Sequence, residues 1–328
     1  MRAILIREPG DEDVLIVGDT PPPTLGPADV RIRVTATAVN RADLLQRQGL
    51  YPPPPGVPNI LGLECAGTIA EMGPHARGFT IGQRVMALLP GGGYADEVAV
   101  HHGSVMPVPD TMSDDEAGAF PEVFLTAFSN LFMPGLGALG PRESTLVHGG
   151  GGGVGTAAIA LCREAGNPCF VTVGSDDKAR RCETLGAAAA INYKTADFAE
   201  RVQALTDGNG VAVVLDHIGA KYFTKNVGSL AIGGRLVEIG LMGGAQSEIN
   251  LGLFLLRRLA VIGSTLRTRP VEEKAAIVRS LLDRFGDAVA AGRLKPEIHA
   301  VLPLARAADA HRMMKASEHF GKIVLRVG

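Results

Sequence analysis

The segment from His148 to Gly155 has the residue types and the spacing of a phosphate-binding turn. Its glycines at positions 150, 152 and 155 follow the pattern GxGxxG. A strand-like apolar stretch (144–147) precedes it, and a small-residue stretch typical of a helix (156–161) follows it. A dinucleotide fingerprint requires this context, because glycines let the backbone approach a pyrophosphate that the helix N-terminus then binds. We therefore predict a dinucleotide site rather than a plain glycine-rich loop, formed by Gly150, Gly152, Gly153, Val154 and Gly155.

The end of the next predicted strand, 169–173, bears on which nucleotide is bound. NAD-specific sites place an acidic side chain there to bind the ribose 2′-hydroxyl, whereas this chain has Gly174. Glycine leaves room for a 2′-phosphate, to which Ser175 can donate a hydrogen bond and Lys178 can supply positive charge. Ser175 can equally cap the next helix, and the two aspartates that follow it interact favourably with the dipole of that helix. The same two aspartates would oppose a bound phosphate unless their side chains point away from it. The pattern favours NADPH over NADH. Tyr193, at the end of the following strand, either covers the adenosine ribose or phosphate or is a half-buried packing residue.

Neither a metal site nor a disulfide framework is predicted. The four cysteines, at positions 65, 162, 169 and 182, form no CxxC pair, and so few in a chain of this length make no disulfide framework. A catalytic zinc needs Cys, His or carboxylate ligands around an open position. The adjacent His101 and His102 would diverge on a strand, and Glu64 has no histidine beside it in the sequence. We expect no bound metal.

The composition is that of a globular protein with an ample core. Hydrophobic residues make up 46% of the 328 residues and charged residues 20%, and the net charge is −2. With this charge and no long run of like charges, we expect no nucleic-acid or membrane partner. No apolar stretch reaches the roughly 18 residues that span a bilayer. The N-terminus lacks the apolar region and cleavage site of a signal peptide, so the expected location is the cytoplasm.

Two patterns divide the chain near Pro121. Before it, short alternating runs such as 30–34 and 83–88 are punctuated by Pro and Gly clusters, which is typical of an irregular β-barrel. After it, a helix at 122–132 is followed by alternating strands and helices, which predicts βαβ units and a parallel sheet with helices on both faces. The strands are predicted at 144–148, 169–173, 189–192, 211–215, 235–239 and 260–264, and the helices at 154–165, 176–185, 197–206 and 220–231.

The C-terminal segment is predicted to return to the first domain. It has the patterns of a long amphipathic helix at about 271–291, a strand at 298–302, a helix at 305–316 and a final strand at 321–327. The expected domains are 1–121, 122–264 and 265–328, in which the last completes the first and the middle one binds the nucleotide. The expected fold class is α/β plus β.

Several further segments match those of a known family. In 38–43, Asn40 stands where zinc-dependent alcohol dehydrogenases have a ligand cysteine, and Leu63 stands where they have a ligand histidine. The segment 88–97 replaces their four-cysteine zinc lobe. The chain thus resembles, over essentially its whole length, the zinc-free quinone oxidoreductase branch of the medium-chain dehydrogenase/reductase superfamily. Segment 44–56 is most similar to the NADPH quinone reductase subgroup that includes the human tumour-suppressor-inducible enzyme.

The resemblance implies a GroES-like barrel domain and a Rossmann domain, with the active site in the cleft between them. It implies that Asn40 and Tyr51 face the nicotinamide and the substrate. It places Thr126 near the nicotinamide, although a capped core hydroxyl is the plainer interpretation of that residue. Loops after two late sheet strands and a C-terminal segment that often closes over the cofactor would complete the cofactor site. Their residues are Gly240, Leu241, Leu266, Phe320, Gly321 and Lys322.

The activity that the resemblance implies is that of a zinc-independent NADPH:quinone oxidoreductase. A quinone accepts electrons without a metal Lewis acid, which leaves positioning and electrostatics to the protein. Asn40 and Tyr51 could donate hydrogen bonds to a developing oxyanion. The alternatives are an NADPH-dependent enoyl or alkenal reductase, in which Tyr51 could supply a proton, and a non-catalytic NADPH-binding sensor or structural protein. The family also implies a homodimer, or a tetramer, paired through the edge strand near 260–263.

Overall fold

A computed structural model describes residues 1–327. The chain divides into two compact units, the first formed by Met1–Leu125 with Leu266–Gly328 and the second by Thr126–Thr265. The predicted domain borders followed residues 121 and 264, and the first of them falls at the start of a helix that begins at Pro121. No helix within residues 1–327 is both long enough and apolar enough to cross a bilayer.

The helices and strands alternate along most of the chain. The strands are β1 (Arg2–Ile6), β2 (Leu15–Asp19), β3 (Asp29–Ala38), β4 (Glu64–Met72), β5 (Arg84–Leu88), β6 (Glu97–His101), β7 (Val105–Pro107), β8 (Thr145–His148), β9 (Cys169–Val173), β10 (Ala189–Asn192), β11 (Val211–Asp216), β12 (Leu230–Glu238), β13 (Ala260–Gly263), β14 (Ile298–Pro303) and β15 (Lys322–Arg326). The helices are α1 (Arg41–Arg47), α2 (Asp114–Ala117), α3 (Pro121–Phe132), α4 (Gly153–Ala165), α5 (Asp176–Leu185), α6 (Phe198–Leu205), α7 (Ala220–Ser229), α8 (Leu251–Arg257), α9 (Val271–Ala290) and α10 (Ala307–Ala316).

The second unit contains a six-stranded parallel sheet in the order β10-β9-β8-β11-β12-β13. The chain runs outward from β8 to β10 and then returns to β11 on the other side of β8. The carboxyl ends of β8 and β11 therefore flank the switch point at which sheets of this kind bind ligands. The predicted parallel sheet with alternating helices is confirmed, because its strands lie at or next to the predicted residues except at the start of β12.

Continuous apolar strands explain the core of this unit. Every residue of β8, β9 and β11 is buried, as expected of strands covered on both faces. Helix α4 is buried from Gly155 to Cys162, where small side chains allow close packing. It ends at Gly166, whose φ of 72° gives a left-handed C-cap that glycine adopts without steric cost.

The first unit is built on a seven-stranded sheet in the order β14-β15-β3-β4-β5-β7, with β6 also paired to β3. All of its pairs are antiparallel except β14 with β15. Strand β15 lies beside β3, which confirms that the C-terminal segment returns to the first unit. As a result, the first residues of β4 and β15 and the residues just after β3 lie close together, and the candidate site below is formed there.

Some elements differ from the sequence-based prediction. Helix α1 was not predicted; Asn40 and Asp43 form a capping box there, with amide and carboxylate side chains instead of the commoner Ser or Thr with Glu. Helix α8 was also missed. The helix predicted at 220–231 was too long, because β12 begins at Leu230. The apolar residues at 230–232 fit a helix or a strand, and pairing with β11 decided for the strand.

Candidate functional site

The turn between β8 and α4 brings the predicted pyrophosphate-binding residues together. Gly152 is the N-cap of α4, and the Gly150 N–H donates to the Thr172 carbonyl at 2.9 Å. A Cβ atom on Gly150 would lie 2.6 Å from the Val171 side chain, and one on Gly155 would lie 2.3 Å from the Gly149 carbonyl oxygen. Gly150 therefore allows the turn to pack against β9, and Gly155 allows α4 to pack against the turn.

This geometry fits a dinucleotide. The first N–H groups of α4, beginning at Gly153 and Val154, have no carbonyl partner inside the helix, and the helix dipole places positive potential at them. A pyrophosphate bound at this end would accept those hydrogen bonds. The nucleotide would supply hydride chemistry, and the turn would supply its binding site.

A buried polar network lies beneath this turn. His148 Nδ1 is 2.9 Å from Thr172 Oγ1, and His148 Nε2 is 2.7 Å from Asn226 Oδ1. Asn226 Nδ2 donates to Asp216 Oδ2 at 2.9 Å, and two backbone N–H groups after β11 also donate to the Asp216 carboxylate. Burial lowers the pKa of His148, so the neutral imidazole donates from Nε2 and accepts at Nδ1. The network fixes the carboxyl ends of β8, β9 and β11 relative to one another.

Glu238 lies opposite Asp216 in the register of β12 with β11. Both of its carboxyl oxygens are buried. Burial first, and then the neighbouring Asp216 carboxylate, raise the pKa of Glu238 to about 8. The sequence predicted neither acid as part of the site; the signal that could have found them is an acidic residue at the end of each of two apolar strands.

The residues predicted to choose the nucleotide lie after β9. Ser175 caps α5, with its Oγ accepting from the Lys178 N–H at 3.3 Å, so the capping interpretation of Ser175 is confirmed. The two aspartates that follow have partners of their own: Asn192 Nδ2 donates to Asp176 Oδ1 at 2.7 Å, and Asp177 pairs with Arg180 at 3.4 Å.

The space beside Gly174 is occupied by two residues that directly follow β10. A Cβ atom on Gly174 would lie 2.8 Å from Tyr193 Oη and 3.7 Å from Lys194 Cε. Tyr193 is 45% exposed, so its hydroxyl can reach a ligand. Any side chain at position 174 would require the exposed Tyr193 side chain to move, whereas a phosphate beside Gly174 would lie near the Tyr193 phenol and the Lys194 side chain. Lys194 was missed by sequence reasoning, although it directly follows Tyr193.

The remaining predicted cofactor residues are divided between the two units. Gly240 and Leu241 follow β12 in the second unit, where Leu241 is exposed. Leu266 and Phe320 are buried in the first unit. Gly321 has a φ of 84°, and a Cβ there would lie 2.2 Å from the Glu297 carbonyl oxygen, so this turn requires glycine whatever it binds. Contact of these residues with a nucleotide stays a prediction.

Thr126 begins the second unit, on helix α3. Its carbonyl oxygen accepts from Asn130 Nδ2 at 2.8 Å and from Ser129 Oγ at 3.3 Å. These bonds are typical of polar residues inside an apolar helix. These bonds involve only the backbone carbonyl of Thr126. A position of its side chain near the nicotinamide stays a prediction.

In the first unit, Asn40 is held by a buried ion pair. Lys322 is 2% exposed, and its Nζ donates to Asn40 Oδ1 at 2.6 Å, to Glu64 Oε1 at 2.7 Å and to the Val39 carbonyl at 3.0 Å. Asn40 Nδ2 donates to Glu64 Oε1 at 2.9 Å. These three acceptors match the three N–H donors of an ammonium group. Lys322 therefore orients Asn40 and neutralises Glu64.

Tyr51, the other predicted catalytic residue, is held by Arg267. The guanidinium lies 5.3 Å from the centre of the Tyr51 ring and donates to the Tyr51 carbonyl at 3.4 Å. It also donates to Gln46 Oε1 at 2.7 Å and to the Pro90 carbonyl at 2.6 Å. Arg267 is 5% exposed, and its carbonyl accepts from Lys274 Nζ at 2.7 Å. Sequence reasoning missed both cations, because they lie more than 200 positions after Tyr51.

Glu122 joins these two clusters. It lies in the first turn of α3, and its backbone N–H donates to Glu64 Oε2 at 2.9 Å. Burial first, and then the Glu64 carboxylate, raise the pKa of Glu122 to about 8. The same carboxyl acts electrostatically on Tyr51, Arg267 and Lys274. No sequence motif pointed to Glu122.

The residues at the positions that the resemblance relates to zinc ligands do not fit a zinc ion. Leu63 is buried and has no ligand atom, the Asn40 amide is bound to Lys322 and Glu64, and Glu64 is already neutralised. Within residues 1–327, no three His, Cys, Asp or Glu side chains are placed to hold a metal ion together. Zinc independence stays a prediction, and we derive no step through a metal.

Comparisons with known proteins identify the family of the chain. Residues 26–110 match the alcohol dehydrogenase GroES-like domain family, and residues 153–283 match the zinc-binding dehydrogenase family. The synaptic vesicle membrane protein VAT-1 homolog of Rattus norvegicus is 32% identical across 100% of this chain and 84% of its own length. A phenolphthiocerol/phthiocerol polyketide synthase component of Mycobacterium tuberculosis is 34% identical over 98% of this chain, but the chain spans only 14% of that protein.

Solved structures with similar folds have several activities. A NAD-dependent alcohol dehydrogenase is 34% identical, with a TM-score of 0.85 over 100% of both chains. Escherichia coli quinone oxidoreductase complexed with NADPH is 26% identical, with a TM-score of 0.86 over 99% of this chain and 100% of that one. A 2-haloacrylate reductase is 30% identical, with a TM-score of 0.82 over 99% of each chain. From its two matched families, the relative matched over the whole of this chain and its dinucleotide turn, we conclude that the chain belongs to the medium-chain dehydrogenase/reductase superfamily of oxidoreductases.

Proposed function

We propose that this oxidoreductase uses NADPH to reduce quinones without a zinc ion. One observation carries the proposal: hydrogen-bond donors and a buried ion pair, formed by Asn40, Lys322 and Glu64, stand where zinc ligands would be needed. A quinone suits such a site, because it is electrophilic enough to accept hydride without a Lewis acid. The NADPH-bound quinone oxidoreductase of similar fold supports the same choice.

The second unit offers two binding elements for the nucleotide. The N-terminus of α4 would bind the pyrophosphate through Gly153, Val154 and Gly155. Tyr193 and Lys194, beside Gly174, would bind the 2′-phosphate together with Lys178. Arg180 offsets part of the Asp177 charge, whereas Asp176, bound to the neutral Asn192 amide, keeps a negative charge that opposes the phosphate. The bound nucleotide supplies the hydride.

The first unit offers donors for the acceptor oxygen. One N–H of Asn40 Nδ2 donates to Glu64, and the other has only the Ala38 carbonyl at 3.4 Å, so it is free to turn to a stronger acceptor. The Lys322 ammonium on Asn40 Oδ1 polarises the amide and makes its N–H groups better donors. Tyr51, held by Arg267, would add a phenolic donor. A donor of this kind stabilises a developing oxyanion by about 3 kcal/mol.

Reduction of an activated C=C bond is the second candidate. The similar fold of 2-haloacrylate reductase favours it, and the nucleotide site would be the same. The two reactions differ in where the proton goes, since a quinone takes it on oxygen and an enone takes it on carbon.

The test measures oxidation of NADPH and of NADH with three partners: an ortho-quinone, a 2-alkenal and no acceptor, each with and without a chelator. We expect turnover with the quinone, a lower KM for NADPH than for NADH, and no effect of the chelator. Loss of activity with the chelator would contradict the zinc-free proposal. Turnover of the alkenal alone would establish the second candidate, and NADPH binding without turnover of either acceptor would indicate a non-catalytic protein.

We further propose that two copies pair through β13. This strand is last in the sheet order, with β12 on its inner side, and Val261 in its middle is 41% exposed. An apolar edge strand with an unpaired row of backbone groups invites pairing across a two-fold axis. A homodimer would result; a tetramer would need a second interface.

A further inference from the structure

Two buried cations in the first unit have no counter-ion. Four Lys or Arg side chains within residues 1–327 are buried, namely Arg47, Arg267, Lys274 and Lys322. Arg47 pairs with Glu12 at 2.9 Å, and Lys322 pairs with Glu64 at 2.7 Å. Arg267 and Lys274, which are 5% and 6% exposed, have no carboxylate oxygen of residues 1–327 within the 4.0 Å of an ion pair. Because a buried charge without a counter-ion destabilises a protein, these two cations fit a ligand that supplies the missing anion.

Both cations also have hydrogen-bond donors to spare. Arg267 donates from Nε to the Pro90 carbonyl at 2.6 Å, from Nη1 to the Tyr51 carbonyl at 3.4 Å and from Nη2 to Gln46 Oε1 at 2.7 Å. These bonds use three of the five N–H groups of a guanidinium. Lys274 Nζ donates only to the Arg267 carbonyl, at 2.7 Å. Two N–H groups of each cation therefore have no acceptor in residues 1–327, and the acceptors already bound are all neutral.

The two cations lie beside a residue that is proposed to bind the acceptor. The Arg267 guanidinium is 5.3 Å from the centre of the Tyr51 ring, and Lys274 contacts Arg267 directly. After burial, the positive charge of Arg267 contributes to lowering the pKa of Lys274, so the two charges repel each other. An anion beside both would attract each of them. Tyr51, Arg267 and Lys274 all belong to the first unit, which thus places a phenol and two cations together.

The carboxyls near this cluster leave the positive charges uncompensated. Glu122 acts on both cations and Asp43 acts on Arg267, but neither carboxyl is within ion-pair distance. Asp43 uses its oxygens to accept from the Asn40 N–H at 2.7 Å and the Gly62 N–H at 3.0 Å. The pKa of Glu122 is raised to about 8, first by burial, so this carboxyl is mostly protonated at pH 7. A negative group is therefore still needed beside Arg267 and Lys274.

We propose that the acceptor reduced by this protein carries an anionic group, such as a carboxylate, that Arg267 and Lys274 bind. The role rests on the proposed function and names the class of acceptor within it. The planar guanidinium suits a carboxylate, with which it forms two parallel hydrogen bonds, and the ammonium adds a second positive charge. The reducible part of the acceptor, a quinone or an activated C=C bond, would then contact Tyr51.

The kinetic test compares 9,10-phenanthrenequinone with its 2-carboxylate at pH 7 in wild type, Lys274→Met and Lys274→Arg. The ratio of kcat/KM for the carboxylate to kcat/KM for the neutral quinone is compared between proteins, so the different reactivities of the two quinones cancel. Methionine removes the charge and keeps an unbranched side chain. The ratio should fall about tenfold in Lys274→Met, as expected for loss of one charge-assisted hydrogen bond, and Lys274→Arg should recover most of it.

The matched control is Lys315→Met, the same change at an exposed lysine of the first unit, and it should keep the wild-type ratio. An equal ratio in wild type and Lys274→Met would overturn the proposal. A higher Kd for NADPH in Lys274→Met would overturn it too, because the cations would then bind a phosphate of the nucleotide. If Lys274→Met does not fold, Lys274→Gln takes its place.

Two further measurements do not depend on turnover. Phenanthrene-2-carboxylate, which has no carbonyl to reduce on its rings, should bind wild type with a Kd about ten times lower than that for Lys274→Met, as followed by its fluorescence. Without ligand, Lys274→Met should melt no lower than wild type, because it removes an unpaired buried charge. A lower melting temperature with an equal loss for both quinones would make Lys274 a structural residue and overturn the proposal. If wild type reduces neither quinone, the proposed function fails, and the anion site stands only if this difference in Kd is found.

Discussion

At the scale of single residues, the electrostatic environment sets the chemistry of both units. In the first unit, the Lys322 ammonium donates to the Asn40 amide and to the Glu64 carboxylate. The pKa of a second carboxyl, Glu122, is raised. In the second unit, Asn226 and two backbone N–H groups donate hydrogen bonds to Asp216. Burial raises the pKa of the neighbouring Glu238 instead. In each pair, one carboxyl accepts several hydrogen bonds, and burial raises the pKa of the other, Glu122 or Glu238.

Replacing Glu238 with glutamine should stabilise the protein at alkaline pH. Its pKa is raised to about 8 in the folded state, against about 4.3 in an unfolded chain. The folded protein therefore holds a proton that the unfolded chain releases, and its stability falls as the pH rises between these values. Allowing for solvent screening, we expect a gain of about 1 kcal/mol for Glu238→Gln at pH 8, seen as a melting temperature about 2–4 °C higher.

The gain should shrink towards pH 5, where wild-type Glu238 is protonated in the folded state. Glu248→Gln, at an exposed position, is the control and should melt like wild type at both pH values. An equal difference between Glu238→Gln and wild type at pH 5 and pH 8 would mean that Glu238 does not titrate in this range.

Removing the Lys194 ammonium should weaken binding of NADPH and spare NADH. The lysine lies beside Gly174, where the 2′-phosphate is proposed to bind. Loss of one charge-assisted hydrogen bond, about 1.4 kcal/mol, corresponds to a Kd about ten times higher for NADPH in Lys194→Ala. Titration calorimetry with both nucleotides measures this, with Arg201→Ala, at an exposed position of α6, as the control. Equal weakening for both nucleotides would place Lys194 away from the 2′-phosphate.

At the scale of elements, strand ends and helix starts position the candidate groups. The turn from β8 to α4 forms the proposed pyrophosphate site, and the start of α3 binds Glu64 through a backbone N–H group. Both use the same property, because the first N–H groups of a helix lack partners and attract anions. The turn was predictable because its glycines are consecutive. The α3 contact was not, because Glu64 lies far earlier in the chain.

Gly155→Ala should damage the dinucleotide turn. Its Cβ would lie 2.3 Å from the Gly149 carbonyl oxygen, so the backbone has to move. We expect the Kd for NADPH to rise at least about tenfold, which corresponds to about 1.4 kcal/mol. Gly228→Ala is the matched control: it lies in α7, and apart from its chain neighbours and the nearby backbone of that helix, no atom lies within 4 Å of its Cβ position. Alanine favours a helix by about 1 kcal/mol. Normal NADPH binding by Gly155→Ala would show that the turn tolerates a side chain.

At the scale of the whole molecule, the last strand of the chain completes the first unit. Strand β15 is added beside β3 after the complete second unit has been synthesised. Lys322, the first residue of β15, therefore reaches Asn40 and Glu64 from almost the full length of the chain. Assembly of copies is the other feature at this scale, and it depends on β13.

Val261→Lys should separate the proposed dimer. In a dimer paired through β13, the lysine would place one positive charge on each of the two paired strands. Charged side chains on edge strands prevent such pairing. Analytical ultracentrifugation should show wild type as a dimer and the variant as a monomer. Val17→Lys, at another exposed valine on a strand of the first unit, should leave the mass unchanged. A monomeric wild type, or a dimeric Val261→Lys, would contradict pairing through β13.

Sequence patterns were enough to predict the parallel sheet, the dinucleotide turn and the return of the C-terminal segment. These features depend on the periodicity and spacing of residues that are close together in the sequence, so they can be predicted without knowledge of tertiary contacts. Tertiary structure alone decided the partners of Asn40 and Tyr51, the ion pair of Lys322 with Glu64 and the raised pKa of Glu122. The charged groups that act on Glu122 lie on four other elements, α1, β4, α9 and β15, and such interactions exist only once those elements are packed together.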